Sequence, residues 1–386
     1  MSSSVYFRSM NKISRLYFLQ SPVKRSVQNV NTIRMLANIS ISKKKEKETF
    51  INIFPLLTET LIKSPKFAKH PQIGNWMKKI LEYNMCGGKQ SRGLATVYTY
   101  EMIEKPENIT EESMKLARIM GWCVEMLHTH LVLFDDIMDG STTRRGVSCW
   151  YRLPDVGLGA INDAALLHMA MFHILKIHFS QRSCYAKILD VFHDTLLNTS
   201  IGQHYDYMMA HRNKNDYTQF TIERYRIIAD NKTAYYTFKL PVCLGLLHAD
   251  KTDHETHKLA EDVTMEIGQF FQIQDDYIDC FSDESITGKV GTDIQEGKCT
   301  WLAVMALQRC NAEQRSLFEQ CYGSSEPIDV QRIKQLYETL ELPLLYKEYE
   351  RNVYNRVLER ANNAASGALP SALILRLFNL IHKRKG

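Results

Sequence analysis

Two short aspartate clusters constrain the fold of this chain more than any other feature of its sequence. They occupy residues 135–139 (DDIMD) and 275–279 (DDYID), each near the end of an apolar segment with a helical pattern. A helix projects the first and fifth carboxylates of such a cluster from one face, where they repel each other unless a cation lies between them. An unpaired carboxylate is also costly to bury on an apolar face. The clusters therefore predict two long helices that hold cations.

The chemistry of these side chains indicates which cations they suit. Carboxylate oxygens are hard ligands that favour Mg²⁺ or Mn²⁺, and Mg²⁺ commonly takes only one or two of them, with substrate phosphate oxygens and water as its other ligands. Two facing clusters are thus typical of a clamp for a diphosphate carried by several metal ions. The competing interpretation, a solvated acidic helix end, explains one cluster more easily than two.

The rest of the chain has a helical pattern almost throughout. Only 10 prolines and 18 glycines occur in 386 residues, and no long stretch alternates with a period of two. Thr110 and Asp163 precede helical stretches as candidate N-caps. Long helices are predicted over residues 121–138, 164–179, 185–209, 217–247 and 257–281. We therefore predict one all-α domain over residues 46–386.

Charge separates an N-terminal arm from this domain. Residues 1–45 contain nine basic and no acidic residues, so the remaining 39 Lys and Arg face 43 Asp and Glu. The net charge of +5 thus comes from the arm, which argues against nucleic acid as a partner. Nine serines and intermittent apolar residues make the arm typical of a mitochondrial transit peptide. A disordered basic tail on a cytoplasmic protein is the alternative.

The composition also argues against several other classes of protein. No run of 18 uninterrupted apolar residues occurs, so we expect no membrane span. The nine cysteines form no C-x-x-C pair, which argues against a zinc ribbon or a disulfide framework and favours a reducing compartment.

Short groups of basic residues surround the aspartate clusters in sequence. Arg suits bidentate phosphate contacts and Lys supplies a point charge, and a second anionic substrate would need cations of its own. The candidates are Lys89, Arg92, Arg144, Arg145, Lys232, Lys289 and Lys298. Any one of these residues alone is more often a solvated surface residue. Their distribution around the two clusters is what makes them candidates for substrate binding.

Together these motifs resemble the trans-isoprenyl diphosphate synthase family. The resemblance rests on residues 271–277 (FQIQDDY), residues 288–294 (GKVGTDI) and residues 135–146 (DDIMDGSTTRRG). It covers roughly residues 50–386 and is greatest to the farnesyl and geranyl diphosphate synthases of animals, insects among them. The resemblance implies a single-domain isoprenoid synthase helical bundle with a central active-site cavity.

The resemblance also implies an activity, that of a short-chain trans-prenyltransferase. Such an enzyme condenses isopentenyl diphosphate with dimethylallyl or geranyl diphosphate, and it releases geranyl or farnesyl diphosphate plus diphosphate. About three Mg²⁺ ions per site are implied, with Mn²⁺ or Co²⁺ as other candidates. A homodimer without membrane insertion is implied as well.

Individual roles follow from position in the family's motifs. The metal ligands would be Asp135, Asp139 and Asp275. The allylic diphosphate would be held by Arg144, Lys232 and Lys298, with Thr233, Gln272 and Lys289 nearby. Isopentenyl diphosphate would be held by Lys89, Arg92, His128 and Arg145. The residues expected to act at the reacting carbon are Lys232, Thr233 and Gln272. A basic tail at residues 383–385 (KRK) resembles one that closes over the isopentenyl site.

The chain departs from the family pattern beside the first cluster. His130 and Leu131 stand where these enzymes usually have two Phe, one helical turn below Asp135, and Phe134 replaces a smaller residue. Leu131 would deepen the pocket for the prenyl tail, His130 adds a polar edge, and Phe134 acts in the opposite direction. A product of ten or fifteen carbons is predicted.

These departures leave two rivals to condensation. A terpene synthase derived from this family ionises a prenyl diphosphate without condensation, and it has no use for the second diphosphate site. The residues expected to form that site, Lys89, Arg92, His128 and Arg145, are all present here. A non-catalytic subunit would be expected to lose one aspartate cluster, and both are intact. The residues therefore favour condensation.

Overall fold

The computed structural model describes residues 45–212, 216–282, 291–363 and 369–381. The chain divides into two compact units, residues 1–52 and residues 53–386. In the first unit the described residues, 45–52, are helical. Residues 1–44 of the predicted arm, Lys289 and the basic tail lie outside the described residues. The predicted domain boundary after residue 45 stays a prediction.

The described part of the second unit is built almost entirely from helices, which confirms the all-α prediction. The α-helices are α1 (residues 53–62), α2 (Pro65–Ala68), α3 (Pro71–Met85), α4 (Ser91–Ile103), α5 (Glu111–Met138), α6 (Ala160–Phe179), α7 (Tyr185–His211), α8 (Ile222–Ile228), α9 (Leu240–His248), α10 (His254–Phe281), α11 (Asp293–Glu296), α12 (Trp301–Arg309), α13 (Ala312–Cys321), α14 (Pro327–Thr339), α15 (Leu342–Asn363) and α16 (Ser371–Phe378). A π-helix (Ala229–Lys239) joins α8 to α9, and an antiparallel hairpin of β1 (Thr143–Arg144) and β2 (Val147–Ser148) follows α5. Single 3₁₀ turns occupy Pro106–Asn108, Trp150–Arg152, Gly157–Gly159 and Tyr217–Gln219.

The two helices that end in aspartate clusters both begin at strong caps. The Thr110 hydroxyl accepts the Ser113 N–H at 3.1 Å, and the Ser113 hydroxyl accepts the Thr110 N–H at 2.9 Å. This reciprocal capping box confirms the predicted start of α5. At the start of α10, the Asp253 carboxylate accepts the Thr256 N–H at 2.8 Å. Because each cap fixes where its helix begins, it also fixes the rotation of the cluster at the far end.

The prediction that Asp163 caps a helix is wrong. Helix α6 begins at Ala160, so Asp163 lies in its first turn. The Asp163 carboxylate is buried and accepts the indole N–H groups of Trp76 at 2.8 Å and of Trp150 at 2.9 Å. These donors come from distant parts of the chain, so local sequence gave no sign of them.

Packing around the π-helix sets the position of the central helices. Helices α10 and α7 pack against the π-helix, α4 packs between α5 and α9, and α5 also packs against α6. Large side chains such as Trp122, Phe192 and Phe270 are fully buried in these contacts. Aromatic side chains of this size contribute much of the apolar area that a core removes from water. The C-terminal ends of α5 and α10 are thereby held around one cavity.

One described helix, Gly157–Phe179, is long and apolar enough to cross a membrane by length and composition alone. Of its most apolar window, 44% is buried inside the protein, and buried core helices meet the same two criteria. The predicted absence of membrane insertion stays a prediction.

Candidate active site

A single cavity of about 820 Å³ collects the predicted site residues. Its walls come from α4, α5, α7, the π-helix, α10 and the segment that leads into α12. Eleven of the thirteen predicted residues line it, namely Arg92, His128, Asp135, Asp139, Arg144, Arg145, Lys232, Thr233, Gln272, Asp275 and Lys298. Of the other two, Lys89 is exposed three residues before Arg92, and Lys289 lies outside the described residues.

The end of α5 turns two aspartates into the cavity and one away from it. Asp135 and Asp139 line the cavity, as their four-residue spacing predicts. Asp136 is only 3% exposed and accepts the Nε–H of Arg144 at 3.0 Å, which ties β1 to the helix. Asp135 accepts an Nε2–H of Gln203 at 2.9 Å.

All three aspartates of the second cluster line the cavity, and Asp276 also supports the scaffold. Asp275 and Asp279 line the cavity, and Asp279 accepts the Asp293 N–H at 3.1 Å. Asp276 is buried and accepts the Trp301 N–H at 2.8 Å, which joins α10 to the start of α12. Burial raises the pKa of Asp276, and its hydrogen bonds oppose that rise.

Two half-buried lysines pair with aspartates that line the cavity. The Lys232 Nζ lies 2.6 Å from Asp206 and 3.2 Å from Asp135, and the Lys298 Nζ lies 2.6 Å from Asp139. Burial alone would lower the pKa of each ammonium group, but the carboxylates outweigh burial and raise it. Burial likewise works to raise the pKa of Asp135, but the charges of Lys232, Lys298 and Arg144 hold it below its usual range. Lys232, Lys298 and Asp135 are therefore charged at neutral pH.

The donor set fits divalent ions that share their coordination with a phosphate. Among the described residues, no three His, Cys, Asp or Glu side chains are grouped closely enough to hold an ion by themselves. Asp135 and Asp139 on one wall, and Asp275 and Asp279 on another, can offer one or two carboxylates to an ion. That number is what Mg²⁺ takes when phosphate oxygens and water complete its shell.

Helix α7 supplies two site residues that sequence reasoning missed. Gln203 and Asp206 lie three residues apart, line the cavity and contact Asp135 and Lys232 respectively. The only signal was a pair of polar residues with helical spacing inside a long, partly apolar helix. Such a pair is common on solvated helix faces, so its specificity is low.

The π-helix interrupts what the sequence predicted as one regular helix over residues 217–247. Helix α8 begins only at Ile222, and the wider π-turns run from Ala229 to Lys239. They carry Lys232, Thr233 and Tyr236 into the cavity. π-helical segments are rare and occur frequently at functional sites. A π-helix gives the sequence no distinctive hydrophobic period, so this π-helix could not be predicted from the sequence.

Two glycines let neighbouring backbones approach the π-helix closely. A Cβ atom on Gly202 of α7 would lie 2.1 Å from the backbone nitrogen of Lys232. A Cβ atom on Gly268 of α10 would lie 2.4 Å from the Ala234 Cβ. Real contacts of this kind are much longer, so neither position has room for a side chain. The two glycines therefore fix the depth at which the π-helix sits.

Gly202→Ala should destabilise the fold by about 1–3 kcal/mol and lower turnover, because the methyl group pushes the backbone of Lys232 away. Urea unfolding and product formation measure the two effects. Gly159→Ala is the matched control, since a Cβ there meets no atom within 4 Å and should change stability by less than about 0.5 kcal/mol. Equal behaviour of both variants would contradict the close-approach argument.

A second group of cations lies at the start of α4. The Arg92 guanidinium donates to the Tyr236 hydroxyl at 3.1 Å and to the Thr237 hydroxyl at 3.2 Å, and it lies 3.5 Å from the Nε2 of His128. The His128 pKa is well below its usual value because of burial and the charges of Arg92, Arg145 and Arg144. His128 is therefore a neutral imidazole beside two arginines.

The hairpin of β1 and β2 sends two neighbouring arginines in different directions. Its turn residues, Arg145 and Gly146, have φ values of 55° and 78°, which suit a two-residue type I′ turn. Arg144 contacts Asp136, whereas Arg145 donates to the Asn84 carbonyl at 2.7 Å, at the end of α3. One dipeptide thus supplies a cation to each of the two groups.

A chain of hydrogen bonds orients the polar side chains between the π-helix and α10. The Thr233 hydroxyl donates to the Gln272 Oε1, and the Gln272 Nε2 donates to Asp276 at 2.8 Å. Because the Gln272 amide is fixed from both ends, the Thr233 hydroxyl keeps its lone pairs free to face the cavity.

The residues that depart from the family pattern line the cavity together. His130, Leu131 and Phe134 all belong to its wall. The Nδ1–H of His130 donates to the Ala164 carbonyl at 2.9 Å, and its ring stacks on His168 with 4.6 Å between centroids. Burial lowers the pKa of both imidazoles, that of His168 to about 4, so both are neutral at pH 7. The wall beneath the first cluster is thus partly polar.

Known proteins with similar sequences and structures agree with this geometry. The polyprenyl synthetase family model matches residues 74–340. Farnesyl pyrophosphate synthase of Murgantia histrionica is 41% identical over 343 residues, covering 89% of this chain and 83% of that protein. The mouse farnesyl pyrophosphate synthase is 41% identical over 344 residues, covering 88% and 97%. A solved structure of T. brucei farnesyl diphosphate synthase complexed with risedronate superimposes with a TM-score of 0.82 at 31% identity, covering 88% of this chain and all of that one.

Proposed function

Because the chain belongs to the polyprenyl synthetase family and is an isoprenyl diphosphate synthase, we propose that it condenses isopentenyl diphosphate with dimethylallyl or geranyl diphosphate. The products are geranyl or farnesyl diphosphate and free diphosphate. One observation carries the proposal: aspartates from two helices and two separate groups of cations line a single cavity.

The two groups of cations divide the substrates between them. Arg144, Lys232 and Lys298 lie among the aspartates and hold the allylic diphosphate. Arg92, His128 and Arg145, with Lys89 before them, hold isopentenyl diphosphate on the α4 side. A neutral His128 suits this role because it accepts or donates a hydrogen bond without adding charge.

The family depends on divalent metal ions, and Mg²⁺, about three ions per site, is our proposal for this chain. Asp135, Asp139 and Asp275 are the ligands proposed, and Mn²⁺ or Co²⁺ would suit the same oxygens. Such ions, when bound, supply neutralising charge to the leaving diphosphate.

The side chains of the cavity act on both substrates. Lys232 and Arg144 stabilise the negative charge of the diphosphate as the allylic C–O bond breaks. The lone pairs of the Thr233 hydroxyl, set by Gln272, stabilise the cation left at the allylic carbon. The double bond of isopentenyl diphosphate then attacks that carbon. The C2 atom of the isopentenyl unit loses a proton to the departed diphosphate.

The cavity wall beneath Asp135 determines how far the prenyl chain can extend. Leu131 leaves more room than an aromatic ring would, whereas Phe134 and the stacked His130 and His168 occupy space beside it. We propose a product of ten or fifteen carbons on this basis.

A product assay tests the proposed function and the role of this wall together. The full chain, with isopentenyl diphosphate and each allylic starter, should give ten- or fifteen-carbon diphosphates, separated by chromatography after dephosphorylation. Leu131→Phe should shift the products toward ten carbons, because the ring fills the space below Asp135. Ile161→Phe, at an exposed site on α6, is the control and should leave the ratio unchanged. Cyclised or hydrolysed products without condensation, or a dominant twenty-carbon chain, would contradict the proposal.

A homodimer is the proposed assembly. Exposed large apolar side chains, Met169 and Ile177 on α6 and Leu197 and Ile201 on α7, are supporting observations, because apolar side chains are enriched where subunits meet. Analytical ultracentrifugation would contradict the dimer if it found only monomers.

We propose that the protein is imported into mitochondria. The acid-free, Ser-rich composition of residues 1–45 supports it. Imaging of a reporter fused to these residues would contradict the proposal if the reporter stayed in the cytoplasm.

A further inference from the structure

The residue that precedes α4, the helix that carries Arg92, does not cap the start of this helix. The residue before the helix, Gln90, has φ 47° and ψ 34°, and its side chain caps no helical N–H group. The first N–H groups of a helix have no partner within it and need one from elsewhere. Helix α4 therefore depends on another part of the chain for its first turn.

Glu125, in the middle of α5, provides this cap. Its Oε1 accepts the Gly93 N–H at 2.8 Å, and the backbone N–H of Arg92 helps to lower the pKa of the same carboxyl. Arg92 and Gly93 are the second and third residues of α4, the two that an N-cap side chain normally reaches. Glu125 is only 7% exposed, so water has little access to replace these bonds.

The same carboxylate lies beside the cations of the second group. Burial raises the pKa of Glu125, and the N–H of Gly93 and the charges of Arg92 and Arg145 oppose that rise. An anion here weakens the attraction of these arginines for a diphosphate, so its presence calls for a reason other than substrate binding. Glu125 is not among the residues that line the cavity.

We propose that Glu125 is the positioning residue of the isopentenyl diphosphate site. By capping α4 from α5, it fixes the first turn of α4 and thereby the direction in which Arg92 leaves the backbone. Tyr236 and Thr237 then hold the far end of the Arg92 side chain. This inference rests on the proposed function, and Glu125 acts through Arg92 and not on the substrate.

Two substitutions at Glu125 separate the cap from the charge. Glu125→Ala removes both and should raise the KM for isopentenyl diphosphate about tenfold, while the KM for the allylic substrate changes by less than about twofold. Glu125→Gln keeps an oxygen that can accept the same N–H groups, so this KM should stay within about threefold of the wild-type value. Lys89→Ala, which removes a cation directly, is the comparison for a binding defect.

Amide hydrogen exchange gives a readout that needs no turnover. The amides of Arg92 and Gly93 should exchange faster in Glu125→Ala and remain slow in Glu125→Gln. Asp163→Asn is the matched control, because Asp163 is a buried carboxylate that holds two indole N–H groups away from the cavity. It should lower stability without changing either KM.

The outcomes distinguish this proposal from a general structural role. A Glu125→Ala variant with an unchanged KM for isopentenyl diphosphate, or with both KM values raised alike, would overturn it. So would a Glu125→Gln variant as impaired as Glu125→Ala. A wild-type protein without condensation activity would count against the proposed function instead, and the exchange of the two amides would still test the cap.

Discussion

Replacing Asp135 with Asn should lower kcat about 10²- to 10³-fold and leave the helix content unchanged. The substitution keeps the shape of the side chain but removes the charge that faces Lys232 and the cavity. Gln203 can still contact the remaining oxygen, so the fold should persist. Product formation at saturating substrate measures the loss, and circular dichroism checks the helices.

Asp155→Asn is the matched control for this substitution. Asp155 is a surface carboxylate paired with Lys79, so its loss should leave kcat unchanged. Electron paramagnetic resonance of Mn²⁺ with inorganic diphosphate gives a second readout, in which the Asp135→Asn protein should bind the ion more weakly. A kcat within about threefold of the wild-type value would contradict the role of Asp135 as a metal ligand.

Lys232→Met should cost about 3–5 kcal/mol of unfolding free energy and abolish condensation. The Lys232 ammonium lies between Asp206 and Asp135, so its removal takes the nearest cation away from both carboxylates. The buried Asp206 should then have a raised pKa and take up a proton as the pH falls. The folded form gains protons that the unfolded form does not, so the loss of stability should be smaller at pH 5 than at pH 8.

A double variant separates stability from function at this position. Lys232→Met with Asp206→Asn removes one of the uncompensated charges and should recover more than half of the lost stability, without recovering turnover. Lys239→Met is the control, because Lys239 lies on the same π-helix but pairs with Glu261 away from the cavity. Urea unfolding at both pH values measures stability. Restored turnover in the double variant would contradict the assignment of Lys232 to the allylic diphosphate.

The sequence predicted the features that local patterns encode. The ends of α5 and α10 were predictable because an aspartate cluster inside an apolar helix is both costly and unusual. Thr110 was predictable as a cap because the residues that complete it lie within three positions.

Features that depend on distant contacts were not predictable. The indole N–H groups that donate to Asp163 belong to Trp76 and Trp150, which are 87 and 13 residues away in the sequence. Gln203 and Glu125 acquire their roles only when α7 meets α5 and α4 meets α5, at separations of 68 and 32 residues. The motifs suggested that the two clusters face each other, but only the fold shows that Lys232 and Lys298 pair with the aspartates of the first cluster.

The π-helix makes the number of residues in its segment as important as their identity. A π-turn closes its hydrogen bond over one more residue than an α-turn does. Deleting one residue between Ala229 and Lys239 would rotate everything that follows by roughly a quarter of a turn relative to what precedes, if the wide turns persisted. Gly202 and Gly268 hold the backbone from two sides, so the segment cannot shift to compensate. A substitution scan would identify a few sensitive side chains here, whereas a deletion scan would find the whole segment intolerant.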